Sequence, residues 1–223
     1  MKARGVSGSL FDHEVAERPR SREPLAEGAF LLRGFALEVE KELRSALETI
    51  AAKAPFRHMI TPGGYRMSVA MTNCGDFGWI TDRRGYRYDA LDPDSGRPWP
   101  AMPRAFADLA DGAAAAGGYR GFVPDACLIN RYEPGARLTL HQDRNEKDFK
   151  APIVSVSLGL PAVFLFGGNE RGHRPRRVPI CHGDVAVWGG PSRLAFHGIA
   201  PLKDGEHPAM GRQRINLTLR RAR

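Results

Sequence analysis

Short apolar runs separated by glycine and proline dominate the second half of this sequence and limit the folds open to it. The runs are Ile153–Leu158, Val163–Phe166, Val185–Trp188 and an alternating series from Ile215 to Leu219. Their length and β-branched content are typical of strands. Their spacing predicts a jelly roll, a double-sheet architecture that can hold a metal ion between its sheets.

The first half of the sequence adds two helices to this β region. A first strand is predicted at Phe30–Leu32, and apolar residues then recur at helical spacing from Val39 to about residue 53. A second helix is predicted after Pro103, with Gly117-Gly118 as its end. The predicted fold class is therefore α+β, mainly β, with two helices supporting the jelly roll.

Domain boundaries follow from the apolar content. Residues 1–23 mix Arg, Glu, Ser and Gly with few apolar residues, which predicts a loosely ordered segment. Residues 24–223 contain no internal repeat, so we expect a single domain. Within that domain, residues 59–88 place glycines among Tyr, Met, Thr and Trp, a pattern that predicts short hairpins.

The charge balance favours a polyanionic partner. Lys and Arg number 33 against 25 Asp and Glu, which gives a net charge of +8. The three cysteines, Cys74, Cys127 and Cys181, form no Cys-x-x-Cys pair, so we expect reduced thiols in a cytoplasmic protein. No apolar run suits a signal peptide or a membrane span, and we expect no membrane partner.

Residue types that bind metals cluster in the β region, as His141-Gln142-Asp143 and, further along, His197. Strand residues two apart point to the same side, so His141 and Asp143 can face one ion. Two His and one carboxylate on one face of a metal are the usual ligand set of non-haem iron oxygenases, which leaves positions for cosubstrate and oxygen. His182 and Asp184 repeat this spacing, but Gly-Asp before a strand indicates a turn, and we interpret the pair as structural.

The final predicted strand is polar on one face. Its polar residues alternate with aliphatic ones and are Arg214, Asn216, Thr218 and Arg220. Two arginines on one strand face suit a dicarboxylate, because each guanidinium can form a fork with a carboxylate. Asn130 and Tyr132, also two apart, could supply neutral hydrogen bonds to the same ligand. On spacing alone, a solvated outer face is an equal alternative.

Taken together, these residues resemble the AlkB family of Fe(II)- and 2-oxoglutarate-dependent nucleic-acid dealkylases, and most closely its bacterial repair enzymes. The resemblance runs from about residue 24 to residue 220. Five runs carry it in the family's order: 61–65 (TPGGY), 67–75 (MSVAMTNCG), 99–103 (WPAMP), 125–132 (DACLINRY) and 214–220 (RINLTLR). Five ordered runs are far more specific than the metal motif alone.

The resemblance implies a double-stranded β-helix catalytic core over residues 125–220 and an N-terminal nucleotide-recognition lid at residues 59–88. The implied iron ligands are His141, Asp143 and His197. The implied 2-oxoglutarate-binding residues are Asn130, Tyr132, Arg214, Asn216 and Arg220. Which arginine holds which carboxylate stays open at this point. The family's reaction converts 2-oxoglutarate and O2 to succinate and carbon dioxide, and it oxidises an N-alkyl group that leaves the base as formaldehyde.

A base that has left its stack is typically held by aromatic side chains. Trp79 is the predicted platform, with His141 on the other side of the base as the family suggests. Without the resemblance, packing inside the lid would be an equally ordinary role for Trp79. Tyr86, Arg87 and Tyr88 match lid positions that contact substrate in the family. Thr61, Arg137 and Arg171 are expected at phosphates, with ordinary surface charge as the alternative for the two arginines. Met67 is expected to line the pocket, with core packing as the alternative.

Asn145 departs from the family pattern, in which a carboxylate occupies this position near the base edge. An amide both donates and accepts, so it cannot attract a cationic methylated base as a carboxylate does. We expect Asn145 to contact the substrate, and the relative preference for alkylated purines and pyrimidines stays open.

The leading hypothesis is oxidative repair of N-alkylated bases, of the 1-methyladenine and 3-methylcytosine type, by a monomeric enzyme. Its predicted substrate is single- or double-stranded DNA, with RNA as a further one. One alternative keeps the 2-oxoglutarate oxygenase and changes the substrate to tRNA, protein or a small molecule. Another is a non-enzymatic nucleic-acid-binding jelly roll, which would form no succinate with any substrate.

Overall fold

The computed structural model describes residues 20–223. Two α-helices lie in this part of the chain, α1 Glu40–Lys53 and α2 Arg104–Ala116. The strands are β1 Arg22–Ala26, β2 Ala29–Leu32, β3 Arg57–Ile60, β4 Arg66–Gly75, β5 Gly78–Asp82, β6 Gly85–Asp89, β7 Ala126–Tyr132, β8 Leu138–His141, β9 Ile153–Gly159, β10 Ala162–Phe166, β11 Arg176–Ile180, β12 Val185–Trp188, β13 His197–Ile199 and β14 Arg214–Arg220. The predicted class, mainly β with two supporting helices, is confirmed. Among the described residues, no helix is both long and apolar enough to cross a membrane.

Two antiparallel sheets form the jelly roll. The larger sheet has eight strands in the order β1-β2-β12-β9-β14-β7-β4-β3, and the smaller has four in the order β11-β10-β13-β8. Apolar side chains from both sheets meet between them, and Phe164 of the smaller sheet packs 6.0 Å from the Trp188 ring of the larger one. Burial of this shared core holds the sheets face to face.

The helices cover the outer face of the larger sheet. Leu43, Leu47 and Ile50 of α1 and Phe106 and Leu109 of α2 are buried against apolar residues of that sheet. Each helix therefore needs only one apolar stripe, which explains why helical periodicity was readable in the sequence. With its outer face covered, the central strand β14 directs its polar side chains into the space between the sheets and its aliphatic ones toward the helices.

The first strand lies earlier than predicted. Phe30–Leu32 belongs to β2, and β1 precedes it and pairs with it in antiparallel register, with Arg22 opposite Leu32. β1 is an edge strand with a single buried residue, Leu25, so its apolar signal is weak. Strand β1 thus begins at Arg22, before the predicted domain start at residue 24. The rest of the predicted loosely ordered segment, residues 1–19, lies outside the described residues.

The predicted lid, residues 59–88, consists of two parts. β4 is a strand of the larger sheet, whereas β5 and β6 pair only with each other as a separate hairpin. The Asn73 side chain holds this hairpin by accepting a hydrogen bond from the Trp79 backbone N–H at 3.0 Å and donating one to the Trp79 carbonyl at 3.1 Å. One side chain of the rigid sheet therefore fixes where the hairpin begins.

Candidate active site

The histidines of the predicted metal site meet because their strands pair. His197 on β13 is the register partner of His141 on β8, and the two ring centroids lie 4.4 Å apart. Gly198 allows this approach, since a Cβ at that position would lie 2.5 Å from the Leu138 carbonyl oxygen. Gln142, between the predicted ligands, donates to the Leu194 carbonyl at 2.6 Å and fixes the turn that carries Asp143.

These three residues form a group that could hold a metal ion. One ligand atom from each of His141, Asp143 and His197 can be chosen so that all lie within 4.8 Å of one another. The Nε2 atoms of His141 and His197 lie 3.7 Å and 3.6 Å from the Asp143 carboxylate oxygens. The arrangement fits a facial His-Asp-His ligand set.

Backbone carbonyls set the tautomers of both histidines. The Nδ1 of His141 lies 2.9 Å from the Thr139 carbonyl oxygen, and that of His197 lies 3.0 Å from the Ala195 carbonyl oxygen. Because a carbonyl only accepts, each Nδ1 carries the proton, and each Nε2 keeps a lone pair for a metal. Burial, reinforced by the neighbouring His197, lowers the pKa of His141 to about 4. His141 is therefore neutral at neutral pH, as a ligand must be.

Arg220 holds the Asp143 carboxylate. Its Nε and Nη2 donate to Asp143 Oδ2 at 2.9 Å and 2.6 Å. Burial alone would raise the pKa of Asp143, but the Arg220 guanidinium and the two histidines hold it well below its ordinary value. Asp143 is thus a fixed carboxylate anion in a buried site.

The polar face of β14 points inward. All of its residues are buried, so the alternative of a solvated outer face is wrong. Arg214, only 1% exposed, donates to Ser157 Oγ at 2.8 Å and lies 5.0 Å from the centre of the Tyr132 ring. Its Nε and Nη1 are buried without a hydrogen-bond partner among the described residues. A buried guanidinium with free donors indicates an anion-binding slot.

The amides beside this slot have different tasks. Asn130 donates to Asn216 Oδ1 at 3.2 Å, while its own Oδ1 is buried without a partner in the described chain. Asn216 donates to Ser155 Oγ at 2.8 Å and to the Val156 carbonyl at 3.0 Å. The side chain of Asn216 is therefore occupied within the protein, whereas Asn130 keeps an unused acceptor.

The candidate metal-binding residues and the residues of the anion-binding slot line one cavity of about 580 Å³ between the sheets. Predicted site residues that line it are His141, Asp143, His197, Asn130, Tyr132, Arg214, Asn216, Arg220, Thr61, Met67, Trp79, Tyr86, Asn145 and Arg171. Arg214 and Asn130 are buried, whereas Tyr86 is 48% exposed and Asn145 is exposed. The cavity therefore has a buried charged floor and an accessible rim.

Aromatic rings form one part of the rim. Trp79 stacks on Tyr86 with ring centroids 5.6 Å apart and planes inclined by 22°. The Trp79 indole N–H donates to Asn145 Oδ1 at 3.2 Å. Trp79 is partly exposed and lines the cavity, so it is not merely a core residue of the lid. The contact also shows that Asn145 belongs to the same part of the rim.

Three predicted substrate contacts do not line the cavity. Tyr88 is 6% exposed, and its hydroxyl lies 2.6 Å from Glu146 Oε1 in the protein interior. Arg87 forms a two-pronged pair with Asp82, at 3.0 Å and 2.8 Å. Arg137 is exposed, and its backbone N–H donates to Ser68 Oγ at 3.1 Å. The geometry therefore gives Tyr88 an internal role and leaves Arg137 as a surface cation.

Two buried charged residues near the site lie outside the patterns on which the sequence predictions rest. Glu146 and Arg193 form a buried ion pair with Nη2 and Oε2 3.2 Å apart. They belong to no periodic run, although Glu146 closely follows the metal motif, which was the one available hint.

The second His-x-Asp pair has the structural role predicted for it. Asp184 accepts hydrogen bonds from Arg33 at 2.8 Å and from the Gly34 backbone N–H at 2.9 Å. His182 accepts from the Gly159 backbone N–H at 2.9 Å and stacks on His207 with ring centroids 4.3 Å apart. Burial lowers the pKa of both histidines, against the opposing effect of the Glu40 carboxylate, while Arg44 lowers both further.

Comparison with known proteins places this geometry among oxygenases. The family model described as "2OG-Fe(II) oxygenase superfamily" matches residues 28–220. The chain is 58% identical over 201 residues to the alpha-ketoglutarate-dependent dioxygenase AlkB of Escherichia coli (strain K12), covering 90% of this chain and 93% of that protein. It is 46% identical over 188 residues to the AlkB homolog of Caulobacter vibrioides (strain NA1000 / CB15N), covering 84% of each.

A solved structure has the same fold. The structure of OsALKBH1 matches with a TM-score of 0.79 at 27% identity, over 90% of this chain and 100% of that chain.

Proposed function

Because the chain belongs to the AlkB family of 2OG-Fe(II) oxygenases, we propose that it removes alkyl groups from bases of the 1-methyladenine and 3-methylcytosine type. The predictions of this family, of a dioxygenase and of its cofactors Fe(II), 2-oxoglutarate and O2 are confirmed. The substrate of this enzyme is nucleic acid. More specifically, we propose that the enzyme acts on single- and double-stranded DNA and on RNA.

One observation carries the proposal: a single cavity joins a His-Asp-His group and an unpaired buried arginine to an accessible aromatic rim. The floor suits a metal and a dicarboxylate, and the rim suits a flat ring. A non-enzymatic binding module would have no use for the buried floor.

His141, Asp143 and His197 would hold the iron through two neutral Nε2 atoms and a carboxylate. Bound iron with 2-oxoglutarate and O2 supplies the oxidant that hydroxylates the N-alkyl carbon, yielding succinate and carbon dioxide. The hydroxylated alkyl group then leaves the base as formaldehyde. The protein itself provides positioning and exclusion of water, and no side-chain nucleophile is needed.

The two arginines would hold opposite ends of 2-oxoglutarate. Arg220 contacts the metal ligand Asp143, so it lies at the metal end of the slot. Arg214, with Nε and Nη1 unpaired among the described residues, would bind the far carboxylate. Tyr132 beside it and the free acceptor of Asn130 complete the slot.

The base would lie between Trp79 and His141, with Asn145 at its edge. Because the Trp79 N–H takes one lone pair of Asn145 Oδ1, the amide offers a ligand its NH2 donors and one remaining acceptor. The NH2 donors can pair with an acceptor edge, such as the O6 of 1-methylguanine, and the remaining acceptor can pair with the amino edge of 1-methyladenine or 3-methylcytosine. Phosphates would meet the cavity-lining Arg171 and Thr61, and the exposed Arg137.

A panel of methylated oligonucleotides tests the proposal. We expect formaldehyde and succinate in equal amounts from methylated DNA, only when iron, 2-oxoglutarate and O2 are all present. In separate competition reactions, methylated RNA or methylated peptide is added together with methylated DNA. Preferential turnover of the peptide would contradict a nucleic-acid substrate. Absence of succinate with every substrate would contradict the enzyme assignment itself.

The matched variant for this panel is Asn145→Asp. A carboxylate only accepts, so we expect it to raise activity on 1-methyladenine and 3-methylcytosine relative to 1-methylguanine. An unchanged ranking would remove Asn145 from substrate selection. Monomeric state and cytoplasmic location stay predictions from the sequence.

A further inference from the structure

Glu146 is a buried carboxylate that does not line the cavity, and its side chain is only 1% exposed. It is surrounded by three groups. The Tyr88 hydroxyl donates to its Oε1 at 2.6 Å, Arg193 donates to its Oε2 at 3.2 Å, and Arg220 Nε lies 3.6 Å from Oε1. Burying a carboxylate this far from water is unfavourable unless its partners compensate for the lost hydration.

Both arginines that contact Glu146 also donate hydrogen bonds to Asp143. Arg220 donates two hydrogen bonds to the Asp143 carboxylate, at 2.9 Å and 2.6 Å. Arg193 donates to the Asp143 backbone carbonyl at 2.9 Å. The side chain and the main chain of this one residue are thus fixed by two guanidinium groups, and Glu146 contacts both.

Tyr88 connects this network to the β5–β6 hairpin. It lies on β6, opposite Trp79 on β5. Besides donating to Glu146, its hydroxyl accepts from Arg220 Nη1 at 3.3 Å. The strand pair that carries the aromatic rim is therefore tied by a single hydroxyl to the groups that hold Asp143.

We propose that Glu146 and Tyr88 are positioning residues for the iron ligand Asp143, acting through Arg220 and Arg193. Glu146 orients both guanidinium groups, and Tyr88 fixes Glu146 and Arg220 at once. The inference rests on the proposed iron site. Groups beyond the direct ligands commonly set metal affinity, because they fix the orientation and basicity of the ligands.

Binding of Mn(II) to the metal-free protein tests the proposal without turnover. We expect Tyr88→Phe, which removes only the hydroxyl, to raise the dissociation constant about tenfold, and Glu146→Gln to raise it by about 10- to 100-fold. Tyr119→Phe is the matched control, because its hydroxyl donates to the Gly28 carbonyl at 2.7 Å, away from the site. We expect this control to lose a similar amount of folding stability and to bind Mn(II) as the wild type does.

The Co(II) absorption spectrum at saturating metal gives a second measurement that reports ligand geometry and not affinity. We expect its ligand-field bands to shift in Tyr88→Phe and in Glu146→Gln and to stay unchanged in Tyr119→Phe. If neither network variant differs from the wild type in affinity and spectrum, the proposal is overturned. The proposal is also overturned if Tyr119→Phe weakens Mn(II) binding as much as the network variants do, since general destabilisation would then explain the effect. A folded wild type that binds no Mn(II) would instead contradict the proposed iron site.

Discussion

Replacing Arg214 by methionine should separate cosubstrate binding from folding. Arg214 is buried, and its Nε and Nη1 have no hydrogen-bond partner among the described residues. Burial lowers the pKa of this guanidinium, against the opposing effect of Tyr132, as expected for a buried cation with no carboxylate partner among the described residues. Methionine keeps an unbranched stem of similar length and removes the charge.

Two effects of opposite sign follow from that environment. Removing one partner of a buried, hydrogen-bonded charge pair costs about 2–5 kcal/mol of binding, so the dissociation constant of 2-oxoglutarate should rise by roughly 30- to 5,000-fold. Removing an unpaired buried charge from the free protein is neutral or stabilising. The substitution also removes the hydrogen bond to Ser157, worth about 1 kcal/mol, and the favourable interaction with Tyr132. We therefore expect the free variant to be at least as stable as the wild type.

The assay is calorimetric titration of 2-oxoglutarate into protein loaded with Mn(II), together with urea unfolding of the metal-free protein. Arg212→Met is the matched control, because Arg212 is exposed and pairs with the exposed Asp204 at 2.8 Å. This control should bind 2-oxoglutarate as the wild type does.

Unchanged 2-oxoglutarate affinity in Arg214→Met would refute the assignment of the slot. A variant that binds weakly only because it is unfolded would refute the energetic reasoning, since the unpaired charge would then have been stabilising.

Three further perturbations test the metal ligands, the strand pairing that carries them and the stacked histidines outside the site. Asp143→Ala should abolish formaldehyde release and weaken Mn(II) binding by more than about 100-fold, and full activity would contradict the ligand assignment. Gly198→Ala should lower the free energy of unfolding by about 1–3 kcal/mol and weaken Mn(II) binding, because its Cβ would meet the backbone between β8 and β13; Gly172→Ala, which meets nothing within 4 Å, is the control. The free energy of unfolding should fall as pH drops below 6.5, because the lowered pKa values of His182 and His207 mean that the folded state resists protonation more than the unfolded state does. His207→Gln should reduce that slope, and an equal slope would remove the stacked pair from the explanation.

The floor of the site could be predicted from the sequence because its residues follow strand periodicity. The alternation of Arg214, Asn216 and Arg220 with aliphatic residues indicated that the strand has one polar face. The metal motif and the five runs in the family's order indicated that this face points into the site, and the burial of β14 agrees. Periodicity alone could not distinguish a solvated face from a buried one. Burial of β14 in the middle of an eight-stranded sheet resolves this choice.

The network below the site could not be predicted, since it depends on contacts between distant segments. Glu146 and Arg193 lie outside the α-helices and strands, and the prediction of Tyr88 as a substrate contact rests on its match to a lid position that contacts substrate in the family. Strand alternation cannot separate the roles of the two tyrosines, because residues two apart on a strand face the same side. Tyr86 lies near the exposed turn of the hairpin, whereas Tyr88 lies near its buried base. How deeply each tyrosine is buried depends on how the hairpin packs against the rest of the protein, and the sequence of the strand does not show this.

The depth of the cavity also dictates the order of events in a catalytic cycle. Arg214 and Asn130 lie on its floor, beneath a rim formed by Trp79, Tyr86 and Asn145. A nucleic acid seated on that rim would cover the route to the floor, so 2-oxoglutarate must enter first and succinate must leave last. Steady-state kinetics should then be compulsory-ordered, and an excess of undamaged DNA should slow the exchange of the small cosubstrate without competing for its slot.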